Sequence, residues 1–198
     1  MFDFIIQSIL TYCIINMTTL IIFLILSVLV TVISWRTLFN IKSHGFYRFF
    51  SWECMSWLVA SNYKFWFTDP FSIPQLLSWF LLFYASYLVI AGMLLIKKKG
   101  KPNPVRDEKN LFGFEKTTEL ITTGVFKLIR HPLYTSLIFV TWAVFLKHAT
   151  VPLFVIALIS TDFLYFTSRF DEKECIRYFG DNYRKYMNRT KMFIPYIF

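Results

Sequence analysis

The first 35 residues contain an uncharged run of 32 residues, Phe4–Trp35, without Asp, Glu, Lys or Arg. A second uncharged run of 27 residues covers Pro70–Ile96. A transmembrane helix needs roughly 20 predominantly apolar residues, so either run can span a bilayer. Only 17% of the residues are charged, whereas about 25% are charged in a typical soluble domain. These features exclude a soluble domain, a disordered chain and a small disulfide scaffold, and they predict a multi-pass membrane protein.

The hydrophobic pattern predicts an all-α fold with about five transmembrane helices. The last two predicted spans are separated only by Lys147 and His148, which is typical of an antiparallel helical hairpin. The second span is less apolar than the others because charged residues interrupt it. The predicted spans are Cys13–Trp35, Phe46–Trp66, Pro74–Ile96, Pro132–Leu146 and Ala149–Ser168. No basic segment precedes the first span, and its apolar run is about twice as long as the apolar region of a signal peptide. Both features argue against a cleaved signal peptide.

These spans predict a single membrane-embedded domain over residues 1–198, with three spans in 1–96, a loop over 97–131 and a helical hairpin with a C-terminal amphipathic helix over 132–198. Of the 21 Lys and Arg residues, 19 fall on one side: three after span one, nine in 97–130 and seven from Arg169 onward. The positive-inside rule then predicts an outside N-terminus and a cytoplasmic loop and C-terminus, in a bacterial inner membrane. The net charge of +9 therefore indicates topology and contact with membrane lipids, with no nucleic-acid partner.

One polar cluster lies in Leu120–Tyr134, which reads LITTGVFKLIRHPLY. Gly124 suits a turn, and Pro132 suits the first position of a new helix. Arg130 and His131 would then lie at a helix N-terminus, where free backbone N–H groups and the helix dipole favour an anion. His131 and Tyr134 are three residues apart and share a helix face. A plain topology charge at Arg130 and a helix cap at His131 remain an equal alternative.

A second polar cluster follows the last span, in the tail Ser168–Phe198. Two pairs are spaced i,i+3 and can share a helix face: Arg169 with Glu172, and Tyr183 with Tyr186. We expect Gly180 to end or bend the helix and Ile194–Pro195 to terminate it. An amphipathic helix on the membrane surface accounts for the outer charges of this tail. It accounts less well for carboxylates at the point where the chain leaves the bilayer.

Together the two clusters predict a site for a small zwitterion beside the membrane. No G-x-G-x-x-G or Walker motif is present, so a nucleotide-like cofactor would not bind in a Rossmann or P-loop manner. The cysteines, Cys13, Cys54 and Cys175, have no metal-ligand spacing, and no metal is expected.

The order TTGVFKLIRHPLY, an apolar hairpin, RFDEKECIRYFGDNYRKYM and a final IP resembles the isoprenylcysteine carboxyl methyltransferase family and its relatives, the phospholipid N-methyltransferases. The resemblance covers roughly Leu120–Pro195, and SHGFYRFFSWE (Ser43–Glu53) is also similar to bacterial members. Val125 and Phe126 depart from the Pro and Tyr that are common there. Asp171 stands where the first of two Glu residues is usual.

The resemblance implies that S-adenosylmethionine binds between the last helices. His131, with Arg130, would face its methionine carboxylate, Glu172 its amino group or ribose, and the tyrosines would wall the pocket. Because the side chain of Asp171 is shorter than that of the usual Glu, Glu172 is preferred as the carboxylate that contacts the cofactor. Glu172 would also act as a catalytic residue, and Arg169 would orient an anionic acceptor. The implied cofactor-binding residues are Arg130, His131, Tyr134, Glu172, Glu174, Tyr183 and Tyr186.

The implied reaction is methyl transfer from S-adenosylmethionine to a lipophilic acceptor, a small molecule or a lipidated peptide, with an isoprenylcysteine-type carboxylate preferred. A phospholipid amine is the first alternative acceptor, and it would need a base such as Glu172 or Glu174. An NADPH-dependent reductase of the sterol type and a membrane protein without catalysis are further alternatives. Acidic residues inside spans are functional candidates. Glu53 is expected to pair with Arg48 or Arg130 to hold helices together, and Asp162 receives no role.

Overall fold

A computed structural model gives the fold for residues 2–101, 112–113 and 115–197, with side chains described from residue 16 onward. These ranges contain six α-helices, two short 3-10 helices at Tyr63–Phe65 and Gly124–Lys127, and no β-strand. The helices are α1 (Phe2–Ser34), α2 (His44–Asn62), α3 (Ile73–Lys99), α4 (Pro132–Phe145), α5 (Val151–Phe179) and α6 (Asp181–Met187). The all-α prediction is therefore confirmed for the part of the chain that is described.

Three of these helices are long and apolar enough to cross a membrane: Asn16–Ser34 within α1, α3 and α5. Helix α4, which lies in the predicted span Pro132–Leu146, has only 14 residues, about 21 Å of helix at 1.5 Å per residue, against a hydrocarbon core of about 30 Å. The polar residues of α2 lower its hydropathy. Membrane-spanning character is thus supported for three helices, and the count of five spans stays a prediction.

Helix α5 is longer than the predicted span, Ala149–Ser168. It continues without a break through the charged residues after Ser168 and ends at Gly180, which adopts a positive φ of 58° and caps it. No Gly or Pro interrupts the sequence between Ser168 and Gly180, so nothing stops the helix earlier. The predicted end of the C-terminal helix at Ile194–Pro195 is wrong, because α6 ends at Met187.

The chain after α6 turns back onto the segment that precedes α4. A parallel bridge joins Ile129 and Lys191. The Lys191 backbone N–H donates to the Leu128 carbonyl at 3.2 Å, and the Arg130 N–H donates to the Lys191 carbonyl at 2.8 Å. This pairing satisfies backbone groups that a lone loop would leave exposed, and it fixes the position of the α4 N-terminus.

Small and polar side chains hold α2, α3, α4 and α5 together. The hydroxyl groups of Ser51 and Ser160 lie 2.9 Å apart between α2 and α5, and Ser78 on α3 donates to the Ala143 carbonyl on α4 at 2.7 Å. Small residues let membrane helices approach closely, and hydroxyls then bond across the interface. The outer faces of α1 and α3 carry exposed apolar side chains, as expected for helices in contact with lipid.

At the α4–α5 turn, the side chain of Lys147 is buried. Its Nζ donates to Gln75 Oε1 at 3.0 Å and lies 3.8 Å from the centroid of the Trp79 ring. Asn62 Nδ2 donates to the Val144 carbonyl at 2.7 Å. These contacts tie the ends of α2 and α3 to the hairpin turn.

The expected pairing of Glu53 is wrong. Arg48 pairs with Glu115 and Arg130 pairs with Glu172, so neither arginine pairs with Glu53. Glu53 Oε1 is buried and has no hydrogen-bond partner among the described residues. Arg48 and Arg130 instead neutralise acids that line or support the cavity described below.

Replacing Gly124 by Ala tests the turn before α4. Gly124 has a φ of 61°, and a Cβ there would lie 2.6 Å from Leu95 Cδ1, so the variant combines backbone strain with a clash. We expect Gly124→Ala to lower the unfolding temperature in detergent by about 3–6 °C. Gly113→Ala is the matched control, since its Cβ would meet no atom of the described residues within 4 Å. Equal unfolding temperatures for both variants would contradict this account of the turn.

Candidate functional site

The Arg130–His131 pair lies at the N-terminus of α4, as the sequence predicts. Pro132 is the first residue of α4, and His131 is its N-cap without a side-chain capping bond. The turn at Gly124 and the 3-10 helix Gly124–Lys127 lead into this position. The His131 ring is therefore free to point toward α5 instead of capping its own helix.

The Arg130 side chain connects the start of α4 to α5 and to the C-terminal turn. Its Nε donates to Glu172 Oε1 on α5 at 2.8 Å. Its Nη1 donates to the Met187 carbonyl at 3.1 Å and also to the Thr190 carbonyl. These contacts join α4, α5 and the C-terminal turn. They also occupy the Nε and Nη1 donors of Arg130, the residue that the family resemblance places, with His131, at the carboxylate of the cofactor.

His131 lies between two carboxylates and is almost fully buried. Its Nδ1 is 3.4 Å from Asp171 Oδ2, its Nε2 is 3.5 Å from Glu172 Oε1, and Nε2 makes no hydrogen bond among the described residues. Burial alone would lower the pKa of His131, but Asp171 and Glu172 outweigh it and raise the pKa above the ordinary value. The imidazolium form is thus favoured. The Tyr134 ring stacks on it, with centroids 5.5 Å apart.

Two buried tyrosines of α6 complete this side. Tyr183 and Tyr186 pack edge to face, with ring centroids 5.7 Å apart, and the Tyr186 hydroxyl donates to the Phe126 carbonyl at 2.6 Å. Burial raises the pKa of both phenols, so both remain neutral hydroxyls at physiological pH.

A cavity of about 400 Å³ opens beside these residues. His131 and Asp171 lie 3.4 Å apart in its lining, and most of the remaining lining residues are apolar or aromatic. The polar lining comes from α2, the two residues before α4, α5 and the segment 115–121. The aromatic rings come from α2, α4, α5, α6 and residues 112 and 126. The lining includes Arg48, Trp52, Phe112, Glu115, Phe126, Arg130, His131, Tyr134, Leu137, Asp171, Cys175, Phe179, Tyr183 and Tyr186.

The structure brings five of the predicted cofactor residues to this cavity and places three other predicted residues away from its lining. Glu172 is buried behind the cavity between Arg130 and Arg169, with Arg169 Nη1 at 3.1 Å from its Oε2. Glu174 faces His44 on α2, with Oε2 at 2.8 Å from Nδ1. The five residues that line the cavity are Arg130, His131, Tyr134, Tyr183 and Tyr186.

The sequence pattern gives too little weight to Asp171, which lines the cavity. It also predicts no site role for His44, Arg48 or Glu115, although SHGFYRFFSWE contains the first two. Helix periodicity could have signalled part of this, because Asp171 and Glu174 are three residues apart and share a face of α5. No local pattern links Glu115 to α2, since Arg48 and Glu115 are 67 residues apart in the sequence.

His44, Glu174, Glu115 and Arg48 form a second charged group, which we call the α2 cluster. His44 is fully buried, with Nδ1 hydrogen-bonded to Glu174 and Nε2 3.5 Å from Glu115 Oε2. Burial would lower the pKa of His44, but Glu115 and Glu174 raise it to about 10. Burial likewise opposes the charge of Glu115, yet Arg48 and His44 keep the pKa of that carboxyl below its ordinary value. The cluster is therefore a set of compensated charges.

Three side chains here have the geometry to approach a cation. His44, Asp171 and Glu174 each offer one ligand atom, and these atoms lie within 4.8 Å of one another. The same groups already pair with one another and with His131. With its pKa raised to about 10, His44 is protonated at neutral pH and offers no lone pair to a metal ion, so we assign no metal to these three side chains.

A pH titration of stability tests the α2 cluster. The pKa of folded His44, about 10, lies above its ordinary 6.5, so the stability that its charge contributes is complete below pH 6.5 and is lost as the pH rises toward 10. Glu115 has a lowered pKa, and its contribution is lost only at acid pH. We expect wild-type protein to lose about 3 °C or more of unfolding temperature between pH 7 and 10 beyond the loss seen in His44→Gln. Parallel curves for the two proteins would show that His44 is not charged in the fold.

The sequence profile of the phospholipid methyltransferase family matches residues 76–182 of this chain. A methanethiol S-methyltransferase of Pseudomonas deceptionensis is 30% identical over 119 residues, which cover 60% of this chain and 42% of that protein. Methanethiol S-methyltransferase 1 of Bradyrhizobium diazoefficiens is 34% identical over 88 residues, 44% of this chain and 30% of that protein. The matches thus span less than half of the length of these relatives, and no solved structure matches the chain.

Proposed function

Because this chain belongs to the phospholipid methyltransferase family, we propose that it transfers a methyl group from S-adenosylmethionine to a lipophilic acceptor at the membrane boundary. The observation that carries the proposal is the cavity whose lining places His131 and Asp171, with opposite charges, 3.4 Å apart beside aromatic and apolar side chains. The names of the relatives support methylation as the reaction class.

The residues of the cavity fit the proposed cofactor. The methionine part of S-adenosylmethionine is a zwitterion, so it needs a cation and an anion close together, and His131 and Asp171 supply both. His131 Nε2 is a buried donor without a hydrogen-bond partner among the described residues, as expected of a group that serves a ligand. Phe126, Phe179 and Tyr183 offer ring faces and edges for an adenine.

The bound cofactor would supply an electrophilic methyl group on a sulfonium. The chain's own residues would then hold donor and acceptor in line, which can supply much of the acceleration of a displacement reaction. Arg130 and Glu172 would position His131 and the C-terminal turn rather than contact the reacting atoms. The apolar lining would keep water away from the acceptor and favour a reaction in which charge is neutralised.

Several acceptors are compatible with this cavity. An isoprenylcysteine-type carboxylate remains our first candidate from the sequence, and a phospholipid amine the second. The names of the two relatives favour a thiol, which adds S-methylation as a third candidate. Each of these three acceptors would enter the cavity from the membrane. The family match favours methyl transfer over an NADPH-dependent reduction.

We further propose that the cavity lies at the cytoplasmic face. Its lining includes residues at the start of α4, in the last turns of α5 and within 115–130. Residues 97–130 and the tail from Arg169 contain 16 of the 21 Lys and Arg residues. The positive-inside rule places such segments in the cytoplasm. The N-terminus would then lie outside, in a bacterial inner membrane.

Binding of S-adenosylhomocysteine tests this function. We expect the purified protein to bind S-adenosylhomocysteine but not NADPH in isothermal titration calorimetry. His131→Ala and Asp171→Asn should each weaken binding about 10-fold, since a hydrogen bond to a charged group contributes about 1.5–3 kcal/mol. Arg177→Ala, at an exposed position of α5, is the control and should bind like wild type. Failure of folded wild-type protein to bind S-adenosylhomocysteine would refute the proposed function.

A further inference from the structure

Arg48 is a cavity residue that the donor site described above does not use. It lies on α2, outside the residues 76–182 that match the family, and its side chain is only 4% exposed. Its Nη1 donates to Glu115. Its Nε is buried and has no hydrogen-bond partner among the described residues. A guanidinium carries five N–H donors, and a buried donor without a partner is costly, so this group has unused capacity to bind an anion.

Two aromatic rings hold the Arg48 guanidinium in place. Its central carbon lies 5.1 Å from the centroid of the Trp52 ring and 4.3 Å from that of Phe112. Stacking on rings restricts the motion of the side chain and removes water from its faces. Both rings also line the cavity. The result is an oriented guanidinium beside two aromatic rings, paired with Glu115 through Nη1 and with its Nε still available to an anion. Away from water, the attraction between such a group and an anion is stronger.

The cavity is divided between two sets of elements. The proposed donor residues, His131, Asp171 and the tyrosines, come from α4, α5 and α6. Arg48 and Trp52 come from α2, and Phe112 comes from the described residues 112–113. If the methyl donor binds to the residues of α4, α5 and α6, then Arg48, Trp52 and Phe112 are available to bind the methyl acceptor.

We propose that Arg48 binds the acceptor and that the acceptor is an anion at the atom that is methylated, a thiolate or a carboxylate rather than an amine. This inference rests on the proposed function and adds the chemical class of the acceptor. The acceptor lone pair forms the new bond to the methyl carbon, and the bond from that carbon to the sulfonium sulfur breaks. The positive charge of the sulfonium and the negative charge of the acceptor cancel, so no proton has to move.

An amine acceptor does not match the charge of Arg48. A protonated amine would face the Arg48 cation, and a neutral amine would have to release a proton to a base after methylation. For a thiol acceptor, in contrast, a neighbouring cation stabilises the reactive thiolate. The charge of Arg48 therefore selects among the three acceptors that the family and the cavity allow.

The first experiment measures anion binding without turnover. Full-length protein saturated with S-adenosylhomocysteine is titrated with decanoate and with decylamine in an uncharged detergent. We expect wild type to prefer decanoate about 10-fold or more, consistent with a charge-assisted hydrogen bond. Arg48→Gln should abolish the preference, whereas Arg36→Gln, at an exposed arginine, should keep it. Equal preference in wild type and Arg48→Gln would overturn the proposal.

The second experiment separates acceptor binding from a purely structural ion pair. If Arg48 serves only to pair with Glu115, then Glu115→Gln and Arg48→Gln should reduce decanoate binding alike. If Arg48 binds the acceptor, Glu115→Gln removes a competing anion and should keep or strengthen decanoate binding. Equal losses in the two variants would overturn the proposal.

Two further readouts keep this inference distinct from the proposed function. Arg48→Gln should leave the affinity for S-adenosylhomocysteine within about 2-fold of wild type, because a contact outside the donor site contributes little to it. A loss as large as that of His131→Ala would place Arg48 in the donor site and overturn the acceptor role. With labelled S-adenosylmethionine, we expect methylation of decanethiol or N-acetyl-S-farnesylcysteine. Methylation of phosphatidylethanolamine vesicles instead would support the family reaction and refute an anionic acceptor.

Discussion

Glu172 is buried near the end of α5, and a lone carboxylate in that position would carry a large desolvation cost. Arg130, His131 and Arg169 surround it, each within 3.5 Å of one of its oxygens. The last residue of α6, Met187, and Thr190 in the chain after it supply carbonyls to the other donors of Arg130. The α4 N-terminus, the end of α5 and the C-terminal turn are thus held together by one group of compensated charges.

The α2 cluster extends this network to the N-terminal half. Glu174, two residues after Glu172 on α5, accepts a hydrogen bond from the His44 ring, and Glu115 lies between His44 and Arg48. Arg48 and Glu115 of the α2 cluster line the same cavity as Arg130 and His131. Under the proposed function, donor and acceptor would therefore be bound by separate parts of the chain.

Much of the fold follows from the sequence. Uncharged runs predict α1 and α3, Pro132 predicts the start of α4, and Gly180 predicts the end of α5, because each depends on local propensity. The Arg169–Glu172 pair also follows from i,i+3 spacing. The return of the chain to Ile129 and the pairing of Arg48 with Glu115 do not follow, since they join segments distant in sequence. Glu172 and Asp171 are adjacent on α5, and only packing against α4 decides which one faces the cavity.

The central claim is that the donor site lies where α4 begins and α5 ends, with its charged end at His131 and Asp171. A structure of the protein with bound S-adenosylhomocysteine in a lipid nanodisc tests it most directly. We predict that the ligand occupies the cavity lined by Tyr134 and Tyr183, with its amino acid part within hydrogen-bond distance of His131 or Asp171. Ligand density elsewhere, with this cavity empty or filled by lipid, would contradict the account.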